Sequence, residues 1–468
     1  METRFCDNKM KFLLLGLTSG LYKEKLPELT DKLESFLGEL KGILQNHCDI
    51  LSYGPVASRA ELDELMVKLD RENIAGVIVI LLSYSPSLMS LPFLKEISKP
   101  ILIWNTQKLW EIKDDFNAED LFQNHGIHGV QDLASVLLRE KVPFSLVTGH
   151  FKDECAQQKI KEWMTAVTAV EKLRNSRVGN LGGTFPMMGD FLISPESLKS
   201  KLGVEFVKIS MDEVADYLKK VDDAEIEKVM KDDLKKYKAE NLSPETHRRS
   251  VRIELALRKL IEDKKLQGIA VNFIAFDRSS PVDTVPFLAI SKFLAEGMGY
   301  GGEGDVLTAC SVLLLQYLTG EANFVEMFTV DFPNNLIFMS HMAESNPKMA
   351  RPDSPIILKE NPLPLAYAAP SAVLCFSLRP GLATLLDFTR TAENEIKVIT
   401  SLVEVVDKPM LKNIDQPQFF IRPNCRVEEF LTKYSLEGGK HHLAMCYGDQ
   451  RQTLKYVATL MNMPYVEI

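Results

Sequence analysis

Gly76-Val77-Ile78-Val79-Ile80-Leu81-Leu82 is apolar at every position after its glycine. A strand with one wet face alternates apolar and polar residues, so a run apolar on both alternations belongs to a strand covered on both faces. That is the condition of a parallel strand with helices above and below. The surrounding chain agrees. Lys11-Phe12-Leu13-Leu14-Leu15-Gly16, Cys48-Asp49-Ile50-Leu51-Ser52, Ile101-Leu102-Ile103-Trp104 and Pro143-Phe144-Ser145-Leu146-Val147 read as further strands. Between them, residues 26–44 and 60–69 carry apolar positions at helical spacing.

Strands alternating with amphipathic helices predict an α/β fold with an N-terminal doubly wound (flavodoxin-like) domain over residues 1–170. Ligands of such sheets gather at the carboxyl ends of the strands, here residues 17–22, 83–86, 105–107 and 148–150. A second α/β domain is expected over residues 171–321. It contains the most charged part of the chain, residues 211–265, where Ile226, Val229, Leu234 and Tyr237 keep a narrow helical stripe. From residue 322 to 468 short β-like runs (323–332, 336–339, 372–378, 396–406) follow one another between turns, and clear helices are nearly absent until residues 452–461. That pattern predicts a C-terminal antiparallel, β-barrel-like domain.

The net charge of −9 over 468 residues argues against a surface built for nucleic acid. The longest apolar run, residues 363–378, is broken by Pro364 and Pro370 and stops at Arg379, so no membrane span is expected. Met1-Glu2-Thr3-Arg4-Phe5-Cys6 lacks the apolar stretch of a signal peptide. The seven cysteines are scattered and include no C-x-x-C pair, which fits free thiols in a reducing cytoplasm.

A second stretch bears on chemistry: Gly297-Met298-Gly299-Tyr300-Gly301-Gly302-Glu303-Gly304-Asp305. It satisfies G-x-G-x-x-G, but a dinucleotide fingerprint follows a strand, and residues 286–294 read as a helix. The chemistry of the stretch lies instead in its carboxylate, Glu303, and in whatever that group pairs with. Glu326 lies in the apolar run Phe324-Val325-Glu326-Met327-Phe328, where a lone buried charge is too costly to stand unpaired. Among eight histidines, His341 follows a strand and His441-His442 follow Gly438-Gly439-Lys440, while His47 and His247 are expected at the surface. Two glutamates and two histidines would make a mixed oxygen and nitrogen site for Mn²⁺, or for Mg²⁺, Co²⁺ or Zn²⁺. The spacing alone leaves open a structurally satisfied Glu326 and unrelated histidines.

Several segments, in order along the chain, resemble the L-arabinose isomerases within the wider L-arabinose/L-fucose isomerase superfamily. They are Ser83-Tyr84-Ser85-Pro86-Ser87-Leu88-Met89, the segment from Lys99-Pro100 to Thr106-Gln107, the loop around Asn124 and His128-Gly129, and Val147-Thr148-Gly149-His150-Phe151-Lys152-Asp153. The glycine–glutamate stretch with Thr308-Ala309, Val325-Glu326-Met327-Phe328-Thr329, Ser340-His341-Met342 and Gly438-Gly439-Lys440-His441-His442 continue the match. The resemblance implies an intramolecular oxidoreductase, an aldose–ketose isomerase working through an enediol. Its implied metal ligands are Glu303, Glu326, His341 and His442, with Glu303 and Glu326 also serving as the acid/base pair. It further implies a cytoplasmic homo-oligomer (trimer or hexamer) whose active sites lie at subunit interfaces, with His128 and Tyr84 entering a neighbour's pocket.

The departures fall where the family lines its sugar. Ser19-Gly20-Leu21-Tyr22-Lys23 stands in place of a Gln-His-Leu-Tyr-Gly run, and His125 in place of a glutamine. Phe185-Pro186-Met187-Met188-Gly189-Asp190 and Phe273-Ile274-Ala275-Phe276-Asp277-Arg278 also diverge. The expected substrate-binding set is therefore His128, Tyr84, His125, Leu21, Phe276 and Met187. The expected substrate is a small-molecule sugar, L-arabinose-like, L-fucose-like or a modified aldose. Two alternatives carry forward: a sugar-binding or regulatory homologue without turnover, and a sugar epimerase using the same metal site.

Overall fold

A computed structural model describes residues 10–278, 281–362 and 367–468. The amino-terminal segment read for a signal peptide and residues 363–366 of the long apolar run lie outside the described residues. The chain divides into two compact units, Met1–Glu171 and Lys172–Ile468.

In the first unit, β1 (Lys11–Leu17), β2 (Asp49–Leu51), β4 (Ile74–Leu81), β5 (Ile101–Asn105) and β6 (Ser145–Thr148) form a parallel sheet in the order β2-β1-β4-β5-β6. The short β3 (Pro55–Val56) pairs with the end of β1. This is the doubly wound order, with its reversal between β1 and β4. Every residue of β4 is buried. Leu13, Leu15, Val77 and Val79 pack into one hydrophobic cluster, while Phe12, Leu14, Ile78 and Ile80, one residue out of phase, are buried as well. The helix Pro27–Gln45 buries Leu29, Leu33, Phe36, Leu37, Leu40 and Leu44, a stripe at helical spacing. Burying each such side chain stabilises the unit by about 1.5–3 kcal/mol before entropy is counted.

The second unit holds a parallel sheet in the order β11-β10-β7-β8, from β7 (Arg177–Leu181), β8 (Glu205–Ile209), β10 (Gly268–Val271) and β11 (Gly299–Gly302). A small sheet joins β9 (Lys238–Ala239), β14 (Ile357–Asn361) and β15 (Ser371–Cys375). The remaining strands are β12 (Asn323–Asp331), β13 (Leu336–Ser340), β16 (Gly381–Arg390), β17 (Ile396–Val405), β18 (Gln418–Pro423), β19 (His442–Tyr447) and β20 (Tyr465–Glu467). Read as β16-β19-β12-β13-β18-β17, with β17 paired back to β16, they close an antiparallel six-stranded barrel, and β20 adds to β17. The apolar helix Val306–Thr319 packs on β10 and β11 of the parallel sheet and on β16 and β19 of the barrel, across the boundary expected at residue 321. Among the described residues no helix is long and apolar enough to cross a membrane.

The glycine-rich stretch contributes a strand, Gly299–Gly302, which pairs in parallel with β10, and the turn begins at Glu303. Two sequence expectations need correction. His247 is buried rather than exposed, with Nε2 3.1 Å from Asp233 Oδ2. The helix Pro244–Lys264 turns Thr246, His247, Ser250 and Val251 inward and leaves Arg248 outside, so the charged neighbour was misleading. The helix Val427–Leu436 lies within the region read as nearly helix-free; it buries Val427, Phe430 and Tyr434 and faces solvent with Glu428, Glu429 and Lys433.

Candidate metal centre

Glu303 stands at the carboxyl end of β11, where the chain reverses into the helix Val306–Thr319. Helix and strand approach so closely that a Cβ on Gly301 would lie 1.9 Å from the Asp305 carbonyl oxygen. Only hydrogen fits there. Glu303 itself has φ +56 and Gly304 φ +79, a left-handed pair that makes the turn. A non-glycine residue in that region costs on the order of 1–3 kcal/mol and persists where the surroundings enforce it. The enforcement is visible: the Phe185 N–H donates to the Glu303 carbonyl at 2.9 Å, and the Asn180 side-chain amide donates to the Gly304 carbonyl at 3.1 Å. The Glu303 carboxylate, its side chain 13% exposed, lies against the rings of His441 and His442.

The barrel supplies the facing groups. Glu326 on β12 is paired with His442 on β19 and, on its other side, with Ser340 on β13, directly before His341. Glu326, His341 and His442 offer ligand atoms that all lie within 4.8 Å of one another; so do Glu303, His441 and His442. His341 Nε2 is 4.0 Å from Glu326 Oε2, and His442 Nε2 is 3.7 Å from Glu303 Oε2.

Each buried histidine is oriented by a carboxylate behind it. His341 Nδ1 lies 2.7 Å from Glu344 Oε2, and Glu344 accepts from the Tyr300 hydroxyl at 2.5 Å and the Ala343 N–H at 2.9 Å. His442 Nδ1 lies 3.2 Å from Asp305 Oδ2. Asp305 also caps the helix, accepting from the Thr308 N–H at 2.8 Å. A carboxylate on Nδ1 leaves Nε2 of each ring as the free ligand atom, the arrangement usual for metal-binding histidines. Phe191 stacks on the His442 ring at 5.6 Å, and Phe324 packs against both rings. His442 Nε2 is buried without a hydrogen-bond partner among the described residues. An orphaned nitrogen is costly, and beside two carboxylates and a second imidazole it is chemically suited to a divalent cation.

The electrostatics follow from burial and from these partners. Burial pushes the His442 pKa down to about 4 against the pull of Asp305, so the ring is neutral and its Nε2 carries a lone pair. Burial raises the Glu326 carboxyl, with His341 and His441 pulling the other way. His441 belongs to the cluster as well. Burial opposes its protonation, but Asp190 and Glu303 carry its pKa up to about 10. Its Nδ1 is 2.6 Å from Asp190 Oδ2 and its Nε2 is 3.4 Å from Glu303 Oε2. The doubled histidine was the only available signal, and nothing local marked Asp190 as its partner.

The other sequence-derived site residues fall in two places. In the first unit, Tyr84 stacks on His125 at 6.4 Å, Tyr22 lies 5.6 Å from the same ring, and His125 and His128 approach with Nδ1 atoms 3.4 Å apart. Leu21 beside them is exposed. These residues collect beyond the carboxyl ends of β1 and β4. In the second unit, Met187 is fully exposed, with φ +70, on the loop whose Phe185 and Asp190 touch Glu303 and His441. Phe276 is fully buried.

Comparison with known proteins covers nearly the whole chain. Residues 7–175 match the L-arabinose isomerase N-terminal domain, residues 196–321 the central domain and residues 321–464 the C-terminal domain. An L-arabinose isomerase from Thermotoga maritima is 26% identical over 421 residues, spanning 88% of this chain and 84% of the relative. One from Thermotoga neapolitana is 27% identical, spanning 87% and 84%. One from Shouchella clausii is 23% identical over 479 residues, spanning 99% and 95%.

Proposed function

The chain belongs to the L-arabinose isomerase family, an aldose–ketose isomerase by that membership, and from this premise we propose that it interconverts an open-chain aldose and its ketose at the Glu303–Glu326–His341–His442 cluster through an enediol of the sugar. The observation that most supports the reading is the buried Nε2 of His442, without a hydrogen-bond partner among the described residues and close to the carboxylates of Glu303 and Glu326.

Glu303, Glu326, His341 and His442 would hold Mn²⁺, or Mg²⁺, Co²⁺ or Zn²⁺ in its place. Such an ion supplies Lewis acidity toward carbonyl and hydroxyl oxygens. The proton work falls to the two glutamates. One takes the proton from the carbon beside the carbonyl and returns it to the neighbouring carbon, while the other carries the proton exchanged between the two oxygens. Burial of Glu326 raises its carboxyl pKa, which favours a group able to hold a proton part-way through the transfer. His441, gripped by Asp190, restrains the Glu303 carboxylate from the outer side. Phe191 and Phe324 wall the two imidazoles and keep that side dry.

Tyr84, His125, His128 and Leu21, with Met187 and Phe276, are proposed to read the sugar. In this reading the molecule is a cytoplasmic homo-oligomer, trimer or hexamer, in which Tyr84 and His128 of one subunit complete the site of another. Sedimentation analysis checks the assembly, and a sharp monomer would defeat it.

The chemical test is incubation with a panel of aldoses and Mn²⁺ in D₂O, followed by NMR. Deuterium at the carbon beside the carbonyl, together with a ketose product, is expected for at least one sugar. Sugar binding without exchange, unchanged by Glu326→Gln, would identify a binding homologue instead. An inverted aldose without ketose would identify an epimerase.

A further inference from the structure

Behind His442 lies a charge that the proposed chemistry does not use. Lys440 is fully buried, with Nζ 3.0 Å from Asp387 Oδ1 and 3.3 Å from Asp305 Oδ2, and in contact with the Thr308 hydroxyl. Its own backbone N–H donates to Asp387 Oδ2 at 2.7 Å, and the Tyr434 hydroxyl lies 2.9 Å from the same oxygen. Asp387 sits on β16, Lys440 directly before β19, and Asp305 on the turn into the helix Val306–Thr319. The ammonium therefore ties the barrel to the helix cap. Burying it costs several kcal/mol unless its partners are well placed.

The two oxygens of Asp305 are divided between tasks. Oδ1 accepts from the Thr308 N–H and caps the helix. Oδ2 faces the Thr308 hydroxyl, Lys440 Nζ and His442 Nδ1. Lys440 thus acts on the oxygen that orients the His442 ring, and it does so without reaching Nε2 or either acid/base glutamate. We propose that Lys440 is a positioning residue: held by Asp387, it fixes Asp305 Oδ2 so that His442 presents Nε2 to the metal, and it sets the affinity for that metal. This rests on the metal reading given above. Outer-shell partners of this kind typically contribute 10–100-fold in metal affinity.

Removing the lysine alone would strand a buried Asp387, so the informative variant is Lys440→Met with Asp387→Asn, which removes both charges and leaves an amide oxygen to accept from the residue 440 N–H and the Tyr434 hydroxyl. The full chain is titrated with Mn²⁺ and free ion is read by electron paramagnetic resonance, with thermal unfolding of the metal-free protein alongside. The expected result is a metal-free melting temperature close to native and Mn²⁺ binding about 10–100-fold weaker. Asp305→Asn should weaken Mn²⁺ binding by a smaller factor in this pair than in the native protein, because the lysine acts through that oxygen. Asp387→Asn alone, which loosens the hold on the lysine and keeps an acceptor for the residue 440 N–H, gives the same comparison if the double variant does not fold. A folded variant that binds Mn²⁺ within about threefold of native, less than an outer-shell partner is worth, overturns the assignment while leaving the metal reading intact. Native protein that binds none of Mn²⁺, Co²⁺ or Zn²⁺ overturns both.

Discussion

Glu326 and His442 face each other across the antiparallel pairing of β12 and β19. That register, with Ser340 opposite Glu326 on β13, brings a carboxylate and two imidazoles to one end of the barrel. A slip of one residue would turn Glu326 to the opposite face. The neighbours hold the register: Val325 and Leu443 are buried in the barrel core with Met339, Leu385 and Ile421.

Glu326→Gln keeps the size of the side chain and removes its ability to take a proton. Deuterium exchange into the responsive aldose should fall by about 10²–10⁴-fold, the usual worth of a positioned acid or base. Circular dichroism should remain native. Exchange within about threefold of native would remove Glu326 from the acid/base pair.

His442→Gln should spare the fold and weaken metal binding. Mn²⁺ affinity is expected to drop by at least the 10–100-fold that loss of an outer partner costs, measured by competition with a chromophoric chelator. Undiminished affinity would move the ion away from His442.

Glu344 gives a pH signature. Burial would raise its carboxyl, but His341, the Tyr300 hydroxyl and the Ala343 N–H bring it down to about 2, from an ordinary value of 4.5. A depressed carboxyl adds stability that is fully present above the unfolded value and is lost as pH falls toward the folded one. Metal-free native protein should therefore lose stability between pH 4.5 and about 2 more steeply than Glu344→Gln. Equal slopes in chelator-treated samples, followed by urea unfolding, would contradict this.

Two glycines should answer in opposite directions. An added Cβ on Gly301 meets the Asp305 carbonyl oxygen at 1.9 Å, so Gly301→Ala forces strand and helix apart and should cost about 1–3 kcal/mol. Gly38 lies exposed within the helix Pro27–Gln45 with nothing within 4 Å of an added Cβ, and Gly38→Ala should stabilise by about 0.5–1 kcal/mol. Melting temperatures of the two variants against native would show it.

The first unit was legible because β4 states its environment in every residue: apolar on both alternations, it admits only a covered parallel strand. The barrel was legible as closely spaced β-runs, but its strand order was not, since β19 pairs with β12 and β16, both far from it in the chain. Gly299–Gly302 was unreadable as a strand because glycine lacks the side-chain packing that makes strands recognisable. Its reason lies in a helix that presses against it. The positions of Glu303, Glu326, His341 and His442 came from resemblance rather than spacing. Asp190, Asp387 and Lys440 went unread because each finds its partner only in three dimensions. His247 misled for the complementary reason: adjacent residues on a helix point in different directions, so Arg248 said nothing about where its neighbour faces.

Asp305 and His442 are 137 residues apart in the chain, yet share a hydrogen bond. Contacts of such separation form late, since the entropy of closing the intervening chain must be met first. β19, which carries His442, completes the barrel between β12 and β16. The orientation of the His442 ring is therefore a property of the closed barrel seated on the helix cap, and not of the short segment that carries the two histidines.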